Sequence, residues 1–379
     1  MATERGRKLF VVLTGFAAVG LTAGLLYWLQ PPGKPNAAEE PERVFAGSSD
    51  DLKETVVVGT LDTSIPENKS AVWCISLQLA WNQLREGIVK EPIKLSNGQT
   101  LADRLNRAEV SENDVPPSDC FTMAGAVDQG IADKIQSGLA KKFPQHTMPP
   151  ISGVPGGYVA FGYVKADVRY AYQFFNNREW LTFKQADGRT IRVRSFGLPE
   201  FNKSSPIQGS CRNQVRVLFR EGGWFAVDLS HGSRPNQVLL AKLPRRDTLA
   251  ATLAELDNKI ARSESKSLPS SATLLVPNAN WRVDHDYREL EGNSFLNASM
   301  HGRNLIKAFQ FVDFKMDRFG TAVESGALLG VDNGHQPEAD PNPDRYHFDQ
   351  PFLIVMKMRD AKKPFFVMWV DNAELLCKH

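Results

Sequence analysis

The longest uncharged apolar run in the chain is residues 9–29, preceded by Arg5, Arg7 and Lys8 and followed by Pro31-Pro32. At about 1.5 Å per residue such a run spans a bilayer core of roughly 30 Å. A cleavable signal peptide has a shorter apolar region and a small-x-small site after it, whereas this run ends in the bulky Tyr27-Trp28-Leu29-Gln30. The pattern predicts an uncleaved transmembrane signal anchor over 9–29, with residues 1–8 as a cytoplasmic basic N-terminus and Tyr27 and Trp28 at the far interface. Everything after Gln30 is then extracytoplasmic, either periplasmic or extracellular. Residues 30–54, rich in Pro, Ala, Glu and Ser, read as a flexible tether, and folded sequence is expected from Thr55.

Beyond the tether the apolar periods alternate between helix and strand types. Residues 71–87 carry Val72, Ile75, Leu79 and Leu84 with Trp73, Leu77 and Trp81 interleaved, which predicts a mostly buried helix ending at Gly87. Helices are also predicted over 100–107, over 121–143 from Val127, Ile131, Ile135 and Leu139, and over 249–260. Residues 158–169 and 190–195 read as strands, and 214–220, 223–228 and 237–243 as a meander. The most informative stretch is 305–330. Ile306, Phe309, Phe311, Phe314 and Met316 are mixed with charges, as in a strand with at least one buried face, then Gly320 breaks the run and small residues lead into the polar, Pro-rich segment 332–344. A strand running out into an exposed loop is the expectation.

The chain has 379 residues, 42% hydrophobic and 23% charged, enough for one large domain with a sizeable core. Its net charge of +2 is balanced along the chain, with no basic block outside the N-terminus, so nucleic-acid binding gains no support. Cys74, Cys120, Cys211 and Cys377 are far apart and form no CxxC pair. Four positions leave the pairing of any disulfide open, and Cys74, in an apolar pattern, reads as a buried thiol. No metal and no cofactor is indicated.

The segment Gly320-Thr321-Ala322-Val323-Glu324-Ser325-Gly326-Ala327 resembles the hinge of the serpin family, in which a long strand ends in Gly-Thr followed by small residues and continues as the exposed reactive loop. Phe348-Asp349-Gln350-Pro351-Phe352 and the apolar residues after it resemble the family's C-terminal Phe-x-x-Pro-Phe hairpin, carried here by Phe348, Pro351 and Phe352. Residues 158–168 resemble the central serpin strand, with Tyr163 and Lys165 in place, Ala160 where the family has Asn and Val168 where it has Trp. Residues 71–87 resemble the family's early buried helix, with Asn68 and Ser76 present and the preceding Ser-Pro missing.

The resemblance implies an α+β fold, serpin-like, with large mixed and antiparallel β-sheets, packed helices and an exposed reactive-type loop, over residues 55–379. It also implies a suicide inhibitor of a serine or cysteine endopeptidase, in which cutting the loop frees the hinge to enter the sheet. An insertable hinge needs alternate residues free of charge, because period two sends them to the buried face. Counted from Thr321 that set is Thr321, Val323, Ser325, Ala327, Leu329 and Val331, none charged, while Glu324 and Asp332 fall in the other set. At the family's distance past the hinge the scissile bond falls at Asn333, Gly334 and His335. The expected partners are a protease and the membrane through 9–29; the oligomeric state is left open. The other readings are a non-inhibitory scaffold or binding protein on the outer membrane face, a plain solvated connection in place of the loop, and, more distantly, a hydrolase built on His285 between Asp284 and Asp286 or on Ser230-His231-Gly232-Ser233. No GxSxG or HExxH motif accompanies those residues, and an enzyme is not expected. Tyr158, Trp180 and Trp224 are candidate pocket aromatics.

Overall fold

The structure, a computed structural model, describes residues 41–144, 155–200, 206–325 and 344–378. Residues from Pro41 onward cluster as one unit. The architecture is α+β, with mixed sheets and five helices among the described residues: α1 (Ser76–Gln83), α2 (Gln99–Asn106), α3 (Ile131–Lys142), α4 (Pro206–Asn213) and α5 (Leu249–Ala261).

The sheet that matters most has six strands, labelled in chain order β1 (Phe45–Ser48), β2 (Cys120–Ala126), β3 (Tyr158–Arg169), β4 (Ala279–Asp286), β5 (Phe309–Asp317) and β6 (Gly320–Ser325). Its spatial order is β1-β4-β5-β6-β3-β2. A second sheet of eight strands contains the meander Arg216–Glu221, Trp224–Asp228 and Asn236–Lys242, then Phe352–Met358, Phe366–Val370 and Ser70–Cys74 side by side. A third, of four strands, pairs Arg345–His347 in parallel with Thr273–Pro277 at its edge. The first two sheets meet through stacked rings of Phe314 and Phe366, 4.8 Å between centroids.

Three predictions change. Residues 71–74 are strand rather than the start of a helix; Ser70–Cys74 is buried at every position, and α1 begins only at Ser76. A short, wholly apolar run does not distinguish a two-sided buried strand from a buried helix by period. Residues 121–126 are likewise strand, paired along β3 from Cys120↔Val164 to Ala126↔Tyr158, and the helix is confined to α3. Finally, the tether does not extend to residue 54. The Val44 amide donates to the Asn280 carbonyl at 2.8 Å, and β1 lies parallel to β4, Phe45 opposite Trp281. An edge strand needs only a few apolar residues, so composition alone missed it.

The inner face of the six-stranded sheet is covered by α1 as well as by the second sheet. Contact with α1 is set by Gly162 in β3, where a Cβ would lie 2.4 Å from the Ser76 carbonyl and 2.7 Å from the Ala80 amide. Helix α3 covers the opposite face, where Ile131, Ile135 and Leu139 pack with Tyr163 and Phe311. Gly162→Ala is therefore expected to push α1 off the sheet and cost about 1–3 kcal/mol, measured by urea unfolding. Unchanged stability would show that α1 yields freely there.

Candidate functional site

The strand predicted to run out into a loop instead turns back. β5 ends at Asp317, and its carboxylate Oδ1 accepts from the amides of Phe319 (2.8 Å) and Gly320 (3.3 Å), closing a tight turn. β6 then returns antiparallel to β5, with Thr321 opposite Met316 and Ser325 opposite Val312. On its other side it is antiparallel to β3, with Gly320 opposite Arg169 and Ser325 opposite Val164. Residues 320–325 thus form an inner strand paired on both edges. Gly320 admits no larger residue without movement, since a Cβ would stand 2.6 Å from the Val168 carbonyl.

Pairing fixes which side chains go where. Thr321, Val323 and Ser325 are buried, in rows that run across the sheet: Ala279–Met316–Thr321–Val168, Trp281–Phe314–Val323–Ala166 and Val283–Val312–Ser325–Val164. Both buried hydroxyls have partners, which removes the cost of placing them there. Thr321 Oγ1 bonds the Tyr170 hydroxyl at 2.7 Å, and Ser325 Oγ bonds Ser76 Oγ at 3.2 Å. Gln310 Nε2 donates to Ser76 Oγ at 2.9 Å and to Ser325 Oγ and the Cys74 carbonyl at 3.3 Å, while its Oε1 accepts from the Tyr287 hydroxyl at 3.2 Å. A small polar network therefore joins the last described residue of β6 to the N-terminus of α1.

On the opposite face the register lines up Arg282, Asp313, Glu324 and Lys165 across four strands. Lys165 Nζ is 2.9 Å from Glu324, and Arg43 is 2.9 Å from Asp313. Two adjacent carboxylates are thus flanked by cations. Burial, and secondarily the Glu324 charge, raises the Asp313 carboxyl above its ordinary range against the pull of Arg43. These pairs are partly exposed and individually small, but together they clamp β6 from outside.

Of the other hinge residues, Ala322 is half-buried on this outer face. Gly326, Ala327 and the candidate loop residues Asn333, Gly334 and His335 lie outside the described residues, as does the span 9–29. No helix of the described residues is long and apolar enough to cross a membrane. Phe348, Pro351 and Phe352 are buried at the start of the second sheet's Phe352–Met358 strand. The Phe348 ring lies 5.2 Å from that of Phe352 and 5.1 Å from that of Phe225. Between them Asp349 takes the buried Lys242 at 2.9 Å and Arg345 at 2.8 Å, which fixes the chain where it re-enters the fold at Arg345–His347.

The residues considered for hydrolysis are engaged otherwise. Ser230 Oγ donates to Asp228 Oδ1 at 3.1 Å, and Asp228 Oδ2 takes Arg359 at 2.6 Å, so this acid serves a turn. His231 Nδ1 is 4.0 Å from Asp228. Asp284 and Asp286 alternate onto the face opposite His285, where they pair with Arg282 and Lys307. His285 itself is buried, bonded through Nδ1 to Ser49 Oγ, with Nε2 unpartnered among the described residues. Tyr158 begins β3 and Trp224 begins the strand Trp224–Asp228, while Trp180 lies outside the strands, just before Leu181–Lys184. All four cysteines are buried and unpaired, and burial pushes Cys120 and Cys377 up to about 12. The contacts that sequence reasoning missed, from Tyr170, Gln310, Arg43 and Arg282, depend on strand register, for which a single sequence carries little signal. Ser76 and Lys165 did stand in recognisable motifs.

No family model matches the chain, and no curated protein does. Among solved structures it is similar to thyroxine-binding globulin in complex with thyroxine, at 14% identity over 65% of either chain and a TM-score of 0.40. A loop-inserted structure of a cleaved ovalbumin mutant is matched at 12% identity over 81% of this chain and 94% of that one, TM-score 0.46. A cleaved serpin 42Da is matched at 14% identity over 74% and 73%, TM-score 0.42. The chain thus spans about two thirds of the length of the first of these.

Burial holds the His285 imidazole down, to about 2. Its neutral form is the one the fold accepts, so below the unfolded value of about 6.5 the unfolded state binds the extra proton. The contribution is complete above that pH and is lost as pH falls, by at most about 1.4 kcal/mol per unit. Between pH 7 and 5 this group accounts for a loss of about 2 kcal/mol, and His285→Gln is expected to remove that part of the slope in urea unfolding. An unchanged slope would show that His285 is solvated before unfolding.

Proposed function

We propose that the chain is a serpin-like protein in which Gly320–Ser325 serves as a sheet-entering hinge and the connection after it as bait for a serine or cysteine endopeptidase. The observation that carries this is the position of β6, an inner strand paired on both edges between two longer strands and followed in sequence by the small and apolar residues 326–331 and then by the polar segment 332–344. Past Ser325, β3 continues through residues 163 to 158 and β5 through 311 to 309, with no strand between them among the described residues. Continued in register, residue 326 falls opposite Tyr163 and residue 331 opposite Tyr158, which sends the uncharged Ala327, Leu329 and Val331 to the inner face. The protease's nucleophile would attack a carbonyl in residues 331–345. The C–N bond breaks, the new amine takes the proton, and the acyl half stays on the protease while the freed strand extends.

A second reading, a non-inhibitory scaffold or binding protein, is favoured by a different observation. The six residues of β6 already have both sets of partners, and Tyr163 and Phe311, 6.4 Å apart, meet under α3 where the extension would pass. Gain from inserting 320–325 is then already spent. We place the protein at a membrane through residues 9–29, with the domain outside the cytoplasm and residues 30–40 as the tether. Retention in the membrane pellet after an alkaline wash is expected, and release of intact chain would remove the anchor from the proposal.

The two readings separate on nicking the full chain with a panel of endopeptidases. Cleavage within 331–345 is expected to raise the melting temperature by ten degrees or more, on the order of several kcal/mol for a chain of this size, and to leave an SDS-stable adduct with the target. A nick that leaves melting unchanged and gives no adduct selects the scaffold.

A further inference from the structure

The hairpin Leu181–Lys184 and Thr190–Val193 presents two unlike faces. Leu181 pairs with Val193 and Phe183 with Ile191 on the side turned to the core, whereas Thr182 opposite Arg192 and Lys184 opposite Thr190 are exposed. Arg194 extends the exposed row, with its guanidinium 5.6 Å from the ring centroid of the half-buried Trp180. Lys184, Arg192 and Arg194 have no carboxylate partner among the described residues. The hairpin's acid, Asp187, is at its turn, where Arg189 takes both it and Glu54. Glu179, exposed, precedes Trp180.

This face lies beside the point where the N-terminal segment joins the fold. Arg194 donates its amide to the Cys377 carbonyl at 2.8 Å and accepts from the Asn278 amide at 2.9 Å. Cys377 donates its amide to Asn278 at 2.9 Å and its thiol faces the Glu42 carbonyl at 3.9 Å, while Asn280 Nδ2 donates to the Pro41 carbonyl at 2.6 Å. Burial raises the Cys377 thiol and the nearby Arg194 charge lowers it, which fits the same placement. Residues 30–40, fully extended, reach about 40 Å at most.

We propose that this face, Trp180 with Lys184, Arg192 and Arg194, docks on a surface of anionic phospholipid. The nearness of that surface rests on the anchor described above. Clustered cations near an acidic headgroup layer each raise affinity roughly fivefold at low salt, tryptophan prefers the interface, and the short tether keeps the effective lipid concentration high.

The test uses the full chain reconstituted into vesicles of phosphatidylcholine alone or with about a third phosphatidylglycerol. Amide hydrogen exchange over 180–194 is expected to slow about tenfold in the anionic vesicles only. That protection should vanish in high salt and in Arg192→Glu/Arg194→Glu, whose side chains are exposed. Equal exchange in both vesicles overturns the proposal. Protection in neutral vesicles that disappears in Glu39→Gln/Glu40→Gln/Glu42→Gln overturns it in favour of the chain's own acidic tether, and protection by a soluble sulfated glycan but not by vesicles overturns it in favour of that partner. Failure of the anchor itself reads out separately, as loss of flotation with neutral vesicles. Flotation with added anionic vesicles that the charge reversal abolishes would still uphold docking, and its absence would not.

Discussion

Everything at the candidate site depends on six residues being paired from both sides. An antiparallel strand with one partner exposes a row of amides and carbonyls to water or to another chain; with two partners those groups are satisfied and alternate side chains are committed to opposite faces. Gly320–Ser325 is in the second condition. The two-residue turn after Asp317 makes this possible, because it returns the chain at once along β5, and β3 supplies the other edge. Without β6, β3 and β5 would each lose a partner along six positions, and the Trp281–Phe314–Val323–Ala166 row would open in the middle of the core. Burial of Val323 alone is worth about 1.5–3 kcal/mol, so the strand is a structural member whatever else it does.

The sequence made part of this legible. Period two in 321–325 assigned Thr321, Val323 and Ser325 to one set and Glu324 to the other, and the faces they occupy follow from that alternation together with the register. The direction of the chain was not legible. A Gly-led run of small residues fits an outgoing loop and a returning strand equally, and the decision is made by edges contributed from about 150 residues earlier and a few residues before. The same limit explains the two helix predictions that became strands. Residues 70–74 and 120–126 are short and apolar, and what makes them strands is the partner beside them, Phe366–Val370 in one case and β3 in the other. Longer elements with a clear period, such as α5 and β3, depended less on context and were readable. The N-terminal edge shows the converse: β1 has almost no pattern of its own and is held by main-chain bonds to β4.

The two ends of the undescribed connection are secured in different ways. At Ser325 the anchor is a cluster of neutral hydrogen bonds through Gln310 and Ser76, each worth about 1 kcal/mol net. At Arg345 it is a partly buried charge network, in which Asp349 is shared between the buried Lys242 and the more exposed Arg345 and the Arg220 guanidinium donates to the Arg345 carbonyl at 3.0 Å. Breaking one member of a buried ion network leaves an uncompensated charge and costs more than breaking one neutral bond.

That asymmetry bears on which of the two proposed roles the fold can perform. Extending β6 past Ser325 requires the strand to pass between the outer residues of β3 and β5, where Tyr163, Phe311 and α3 are packed together. The aromatic contacts there have to part before the new pairs form, so the cost comes first and the gain follows. While the connection is intact its far end is held by the Asp349 network. A cut removes that constraint and leaves the barrier at α3 as the one obstacle. On the inhibitory proposal, the packing of Tyr163 against Phe311 and Phe143, 4.9 Å from Phe143 by ring centroid, bears more on whether a cleaved loop moves than the composition of the hinge does.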